Sequence, residues 1–124
     1  MKALNAVVAQ LDSRNAERLA ASLFTHFKSV MVARSLEELR DAIPKAGADV
    51  AIVDLELVSM RDLQLLHKEH PGTSLICTHR VADEEMWASA LAAGALDMCS
   101  SIDVDGIVYC TLRALHALGA TQAA

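Results

Sequence analysis

Ala48-Asp49-Val50-Ala51-Ile52-Val53-Asp54-Leu55-Glu56-Leu57 is an apolar run of strand-forming residues near the middle of the chain. Val50, Ala51, Ile52 and Val53 show no polar alternation, so both faces of this segment are expected to be covered, as in the middle strand of a parallel sheet. The run ends on Asp54. An acid where such a strand leaves the core sits at the carboxyl edge, which is where open α/β sheets place their ligand sites.

Working outward toward the N-terminus, Leu4 to Gln10 reads as a first strand, and Asp12 or Ser13 can cap the helix after it. Ala16, Leu19, Ala20, Leu23, Phe24 and Phe27 form one apolar stripe, which predicts a helix of about four turns. Ser29 to Ala33 is a short second strand. Ser35 caps a second helix, with Glu38 three residues on as a capping box and Leu36, Leu39 and Ile43 turned inward. Gly47 closes that helix.

Working toward the C-terminus, Met60, Leu63 and Leu66 mark a third helix that His70-Pro71-Gly72 stops. Ser74 to Thr78 is a fourth strand. Asp83 to Ala93 is an alanine-rich fourth helix with Met86/Ala90 and Trp87/Leu91 as pairs one turn apart, and Gly94 closes it. Leu96 to Ser100 is a fifth strand, and Asp103 caps a last helix whose inner stripe is Val104, Val108, Thr111, Leu112 and Leu115. Strands alternating with helices in this way predict an α/β fold: a three-layer, doubly wound parallel sheet with right-handed crossovers and helices on both faces.

A chain of 124 residues, 53% of them apolar, suffices for one domain with a real core and not for two. The expected division is a single domain over 1–118 and a loose tail over 119–124. Net charge is −5 with the two signs interspersed, which argues against nucleic-acid binding through a basic face, and 3% aromatics leave little for base stacking. Neither a membrane span nor a signal-peptide hydrophobic region is found, so the expected location is cytoplasmic. Cys77, Cys99 and Cys110 sit in apolar segments without Cys-x-x-Cys spacing and read as buried free thiols, small strand or helix residues ahead of redox sensors.

None of the five glycines follows the first strand, so a phosphate loop for a dinucleotide or flavin is not expected. His67 and His70 stand three apart, a spacing that can hold a metal, but no third ligand is evident and a helix C-terminus suits histidine for its own sake. His79 follows Thr78 directly and can either line the strand-end cleft or face solvent.

At this point the residues resemble a known family. Asp49-Val50-Ala51-Ile52-Val53-Asp54, then Met60, Leu63, Leu65 and Leu66, then Thr78, then Ala92-Ala93-Gly94-Ala95-Leu96-Asp97 match in order the third strand, the Met and Leu-x-Leu-Leu, the hydroxyl residue and the Ala-Gly-Ala-Asp-Asp run of receiver domains of bacterial two-component response regulators (CheY-like). The resemblance spans essentially the whole chain. It implies a flavodoxin-like five-stranded sheet of order 2-1-3-4-5 with five helices, a non-enzymatic role in phosphorelay signalling, and Asp54 as candidate phospho-acceptor with Thr78 in support.

The departures from the family are as informative. Its two acids after strand one are Gln10-Leu11 here, or Leu11-Asp12 if the register slips by one. Its lysine and proline after strand five are Ser101-Ile102, its Pro-Gly after the aspartate is Val58-Ser59, and its aromatic switch position is Met98. Phosphoryl transfer to a carboxylate needs the charge neutralisation that paired acids holding magnesium and the lysine provide. The expectation is therefore a degenerate receiver that works by protein–protein interaction, without a cofactor and without ordinary Mg-dependent phosphorylation. Its partner surface is expected on the fourth helix, fifth strand and fifth helix, at Asp83, Glu84, Trp87, Met98 and Tyr109, for a histidine kinase, an output domain or a second copy of the chain. The alternative is a working phospho-acceptor that takes phosphate from a histidine kinase onto Asp54, with magnesium held by Asp54 and by Glu56 or Asp12. A third reading is a small-molecule binder with a pocket at Asp54 and Thr78.

Overall fold

A computed structural model describes residues 3–119. Five strands alternate with five helices: β1 (Asn5–Ala9), α1 (Ser13–Phe24), β2 (Ser29–Ala33), α2 (Leu36–Ala46), β3 (Val50–Asp54), α3 (Met60–Glu69), β4 (Ser74–His79), α4 (Glu84–Ala92), β5 (Asp97–Ser100) and α5 (Val104–Ala117). All strand pairs are parallel and the sheet order is β2-β1-β3-β4-β5, as the resemblance implies. No helix among the described residues is long and apolar enough to cross a membrane.

β3 is central and every one of its residues is buried. Its alternation splits the core in two. Val50 and Ile52 join Leu19, Leu23, Phe27, Ile107 and Leu115 on the α1 and α5 face. Ala51 and Val53 join Leu39, Ile43, Leu63, Leu66 and Ala90 on the face covered by α2, α3 and α4. An uninterrupted apolar run is what a strand covered on both faces requires. Among the described residues β2 and β5 are the sheet's edges, and β2 pairs along one side only, with β1.

The caps follow the sequence closely. Asp12 Oδ1 accepts the Arg14 and Asn15 amides, so Asp12 is the cap and Ser13 the first helical residue. Ser35 Oγ accepts the Glu38 amide, but the Glu38 carboxylate accepts from Arg34 N–H instead of completing a capping box on Ser35. The reciprocal box occurs one helix later, between Ser59 and Asp62. Gly47 ends α2 in the left-handed region at φ 58°, its amide reaching back to Ile43 and Pro44.

Two expectations about helices are corrected. α1 has 12 residues, three turns and not four. Phe24 ends the helix facing solvent, whereas Phe27 is buried beyond it, because the chain turns back through the His26 and Phe27 amides onto the Leu23 carbonyl before entering β2. In α5 the buried line is Ile107, Cys110, Thr111 and Leu115, while Val104, Val108 and Leu112 lie at its margin. Both Ile107/Thr111 and Val108/Leu112 fit helical spacing, and the packing onto β4 and β5 selects the first. Gly119 follows α5 at φ 75°, and residues 120–124 of the expected tail lie outside the described residues.

Candidate functional site

β1 and β3 end side by side at the carboxyl edge, and a cleft of about 570 Å³ opens there. Leu11, Asp12, Arg14, Asn15, Arg18, Asp54, Glu56, Arg80, Ser101 and Ile102 line it. The structure thus brings together Asp54 at the end of β3, Glu56 just beyond it and Asp12 in the loop after β1, as the order of the parallel strands requires.

Asp54 is only 4% exposed. Its carboxylate is held by backbone: Leu11 N–H donates to Oδ2 and Glu56 N–H to Oδ1, each at 3.0 Å. Thr78 faces it across the β3–β4 register and is fully buried. Its Oγ1 accepts from Gln10 Nε2 at 3.0 Å. Gln10 also donates to its neighbour's carbonyl at Ala9, and its Oε1 accepts from Asn15 Nδ2, which donates in turn to the Ser101 carbonyl. One amide therefore ties the end of β1 to β4, to α1 and, through Asn15, to the loop after β5.

The other two candidate ligands are engaged elsewhere. Glu56 accepts the Arg80 backbone amide at 3.1 Å and grips its guanidinium through Nε at 3.0 Å and a terminal nitrogen at 2.9 Å. That bidentate contact holds the Glu56 carboxyl below its ordinary range. Asp12 spends Oδ1 on the α1 cap. Three carboxylates and three guanidinium groups line the cleft, so its formal charges cancel.

A magnesium ion in such a cleft takes one or two carboxylates and several waters. Here the acid beside Asp54 is an amide, Gln10. The next residue, Leu11, contributes its main chain to Asp54, and Glu56 is neutralised by Arg80. Among the described residues no group of three or more His, Cys, Asp and Glu is arranged to hold a metal.

The remaining candidates scatter. His67 is exposed on α3 and packs beside Gly94, while His70 caps the same helix through its amide to Leu66 O. His79 does not line the cleft; its Nδ1 accepts the Val81 amide. On the α4–β5–α5 face Trp87 and Tyr109 are 46% and 66% exposed, and Asp83 caps α4. Met98 does not belong to that surface. It is 7% exposed and points into the core under α2, α3 and α4, because β5 residues alternate between the sheet's faces.

Sequence reasoning missed three things. Arg80 had a signal: Asp54 and Thr78 are register partners, so the residues two beyond each, Glu56 and Arg80, come abreast. Asn15 had none, since its reach to Ser101 depends on how α1 docks. Asp97 is the third. Its Oδ1 accepts Trp87 Nε1–H at 3.1 Å, and its Oδ2 accepts from the Cys110 thiol at 3.1 Å and from Arg113 at 3.2 Å. Partial burial pushes Asp97 up, but these bonds and the Met98 amide outweigh it and hold the carboxyl below its usual range. Arg113 also lies over the Tyr109 ring, 5.5 Å from its centre.

No family model matches the sequence, and no curated protein does. Solved structures do match. The signal receiver domain of NarL from Mycobacterium tuberculosis is 18% identical over 91% of this chain and 96% of that one, with a TM-score of 0.77. A response regulator from Thermotoga maritima is 16% identical over 91% and 98%, at 0.81. NtrX from Brucella abortus is 19% identical at 0.83, over 97% of this chain and 28% of the longer NtrX chain. At these identities the likeness is one of architecture, and it agrees with the strand order and the crossovers found here: this chain has the fold of response-regulator receiver domains.

Proposed function

We propose that the protein is a receiver module of a two-component signalling pathway that acts by binding another protein, without catalysis and without Mg-dependent phosphorylation of Asp54. The observation that supports this most is the Gln10 side chain. It stands where a metal-binding acid would be needed and spends its amide on Thr78, while Glu56, the nearest alternative ligand, is paired with Arg80. A phosphoryl group added to Asp54 would meet two backbone amides already in use and no lysine, because Ser101 and Ile102 hold the loop after β5. The partner surface in this reading is the α4–β5–α5 face around Trp87 and Tyr109, for a histidine kinase, an output domain or a second copy. Large exposed side chains held in place by Asp97 and Arg113 are the kind that anchor interfaces.

Titration of the protein with magnesium and beryllofluoride, followed by Trp87 fluorescence and amide shifts, tests the reading. The expected result is no saturable response. A magnesium-dependent response that saturates and is lost in Asp54→Ala overturns it in favour of a working phospho-acceptor.

A further inference from the structure

The cleft at the carboxyl edge is balanced in total charge but not in pairing. Each of its carboxylates is met from within the chain: Asp54 by two amides, Glu56 by Arg80, and Asp12 by two amides of the α1 cap. Two of its cations are not. Arg14 and Arg18 line the cleft from α1, and among the described residues neither guanidinium takes part in a hydrogen bond or an ion pair. Two large aliphatic side chains line the same cleft, Leu11 at 56% exposure and Ile102 at 70%. We propose that the cleft is a binding site for a small organic acid with two carboxylates and an apolar body, a ligand unconnected with phosphoryl transfer.

The chemistry of the lining selects this class. A guanidinium is a planar fork that meets a carboxylate through two parallel N–H donors. Arg14 and Arg18 stand four residues apart in α1, so they are neighbours on one face, with about 5–6 Å between their Cβ atoms. Two forks at that spacing take two carboxylates, and two negative charges are what the pair lacks. A bare anion would leave Leu11 and Ile102 in water, whereas an apolar body laid against them covers both. The cationic and apolar parts of the lining are fixed to one another by the chain itself. Leu11 N–H is held on Asp54, and Asn15, next to Arg14, donates to the carbonyl of Ser101, next to Ile102. A volume of about 570 Å³ lies within the range that small-molecule sites occupy. None of the lining residues is aromatic, which disfavours a ligand held by base stacking.

Phenylsuccinate is the probe, titrated into the whole chain in magnesium-free buffer, so that the result is independent of whether Asp54 accepts phosphate. Calorimetry and amide NMR shifts are read together. The expected result is saturable one-to-one binding, with shifts gathered at residues 11–18 and 101–102 and an affinity that falls as salt is added. Arg14→Ala and Arg18→Ala each weaken it about tenfold, the loss of one charged hydrogen-bonded pair. Ile102→Asn weakens phenylsuccinate and leaves the poorer ligand succinate unchanged. Arg14, Arg18 and Ile102 are all exposed, so the three variants keep the fold, which circular dichroism verifies. Binding that does not saturate in the millimolar range, binding that neither arginine variant changes, or equal shifts from inorganic phosphate each overturn the proposal, the last by showing a site for bare anions.

Discussion

Gln10 is 3% exposed, and its amide meets the hydroxyl of Thr78, which has no exposure at all. A buried hydroxyl that loses its donor bears the full cost of its desolvation, about 1–3 kcal/mol. Gln10→Ala is therefore expected to lower the unfolding free energy by that amount, read as a lower urea midpoint at unchanged m-value, and a loss well below it would mean that Thr78 finds another donor. Gln10 was legible in the sequence only as a missing acid. Its positive role could not be read, because an amide at the end of one strand says nothing about which hydroxyl two strands away it will meet. Asp54 was the reverse case: its position followed directly from the apolar run before it, while its two amide donors came from loops whose paths the sequence leaves open.

Helices and strands were legible wherever a cap residue and an apolar period agreed. Asp12, Ser35, Ser59, Asp83 and Asp103 all take up a backbone amide at the start of a helix. Helix faces were less legible where two adjacent lines are both apolar, as in α5, because only the sheet beneath decides between them. Two glycines show how an element's end depends on its surroundings. At Gly47 a methyl group would meet nothing within 4 Å, so Gly47→Ala carries only the left-handed backbone cost, about 1 kcal/mol. At Gly94, with φ 114°, the added carbon would overlap the His67 ring of α3. Gly94→Ala is expected to cost clearly more than Gly47→Ala by thermal or urea unfolding, and a reversed order would show that α3 and α4 are free to move apart.

At the scale of the molecule, the parallel order and the two-sided core came through in the sequence because β3 is apolar on both faces, whereas the charge distribution did not, since Glu56–Arg80 and Asp97–Arg113 join residues from different elements. These pairs set the dependence of stability on pH. Asp97 and Glu56 have depressed folded-state pKa values, so their contribution is complete above the ordinary carboxylate range, near pH 4, and is lost as pH falls through the folded values. Cys77 works in the other direction. Burial pushes its thiol up to about 12, so its contribution is complete below the ordinary thiol range and is lost as pH rises toward that value. Urea midpoints measured from pH 3 to 10 are expected to fall at both ends. Asp97→Asn should weaken the acid limb and Cys77→Ala the alkaline one, and limbs unchanged by either substitution would count against this assignment. β2 lies at the edge of the sheet. Ser29-Val30-Met31-Val32-Ala33 carries no charge and no proline, and among the described residues one of its sides is an unpaired row of amides and carbonyls. Such a row is a template for a foreign strand, and the gatekeepers here are the cations on its flanks, Lys28 and Arg34. Polyanions that cover those two side chains would strip the edge of its protection without loosening the fold, so aggregation in concentrated or crowded solution follows the ionic company the protein keeps more than its thermodynamic stability.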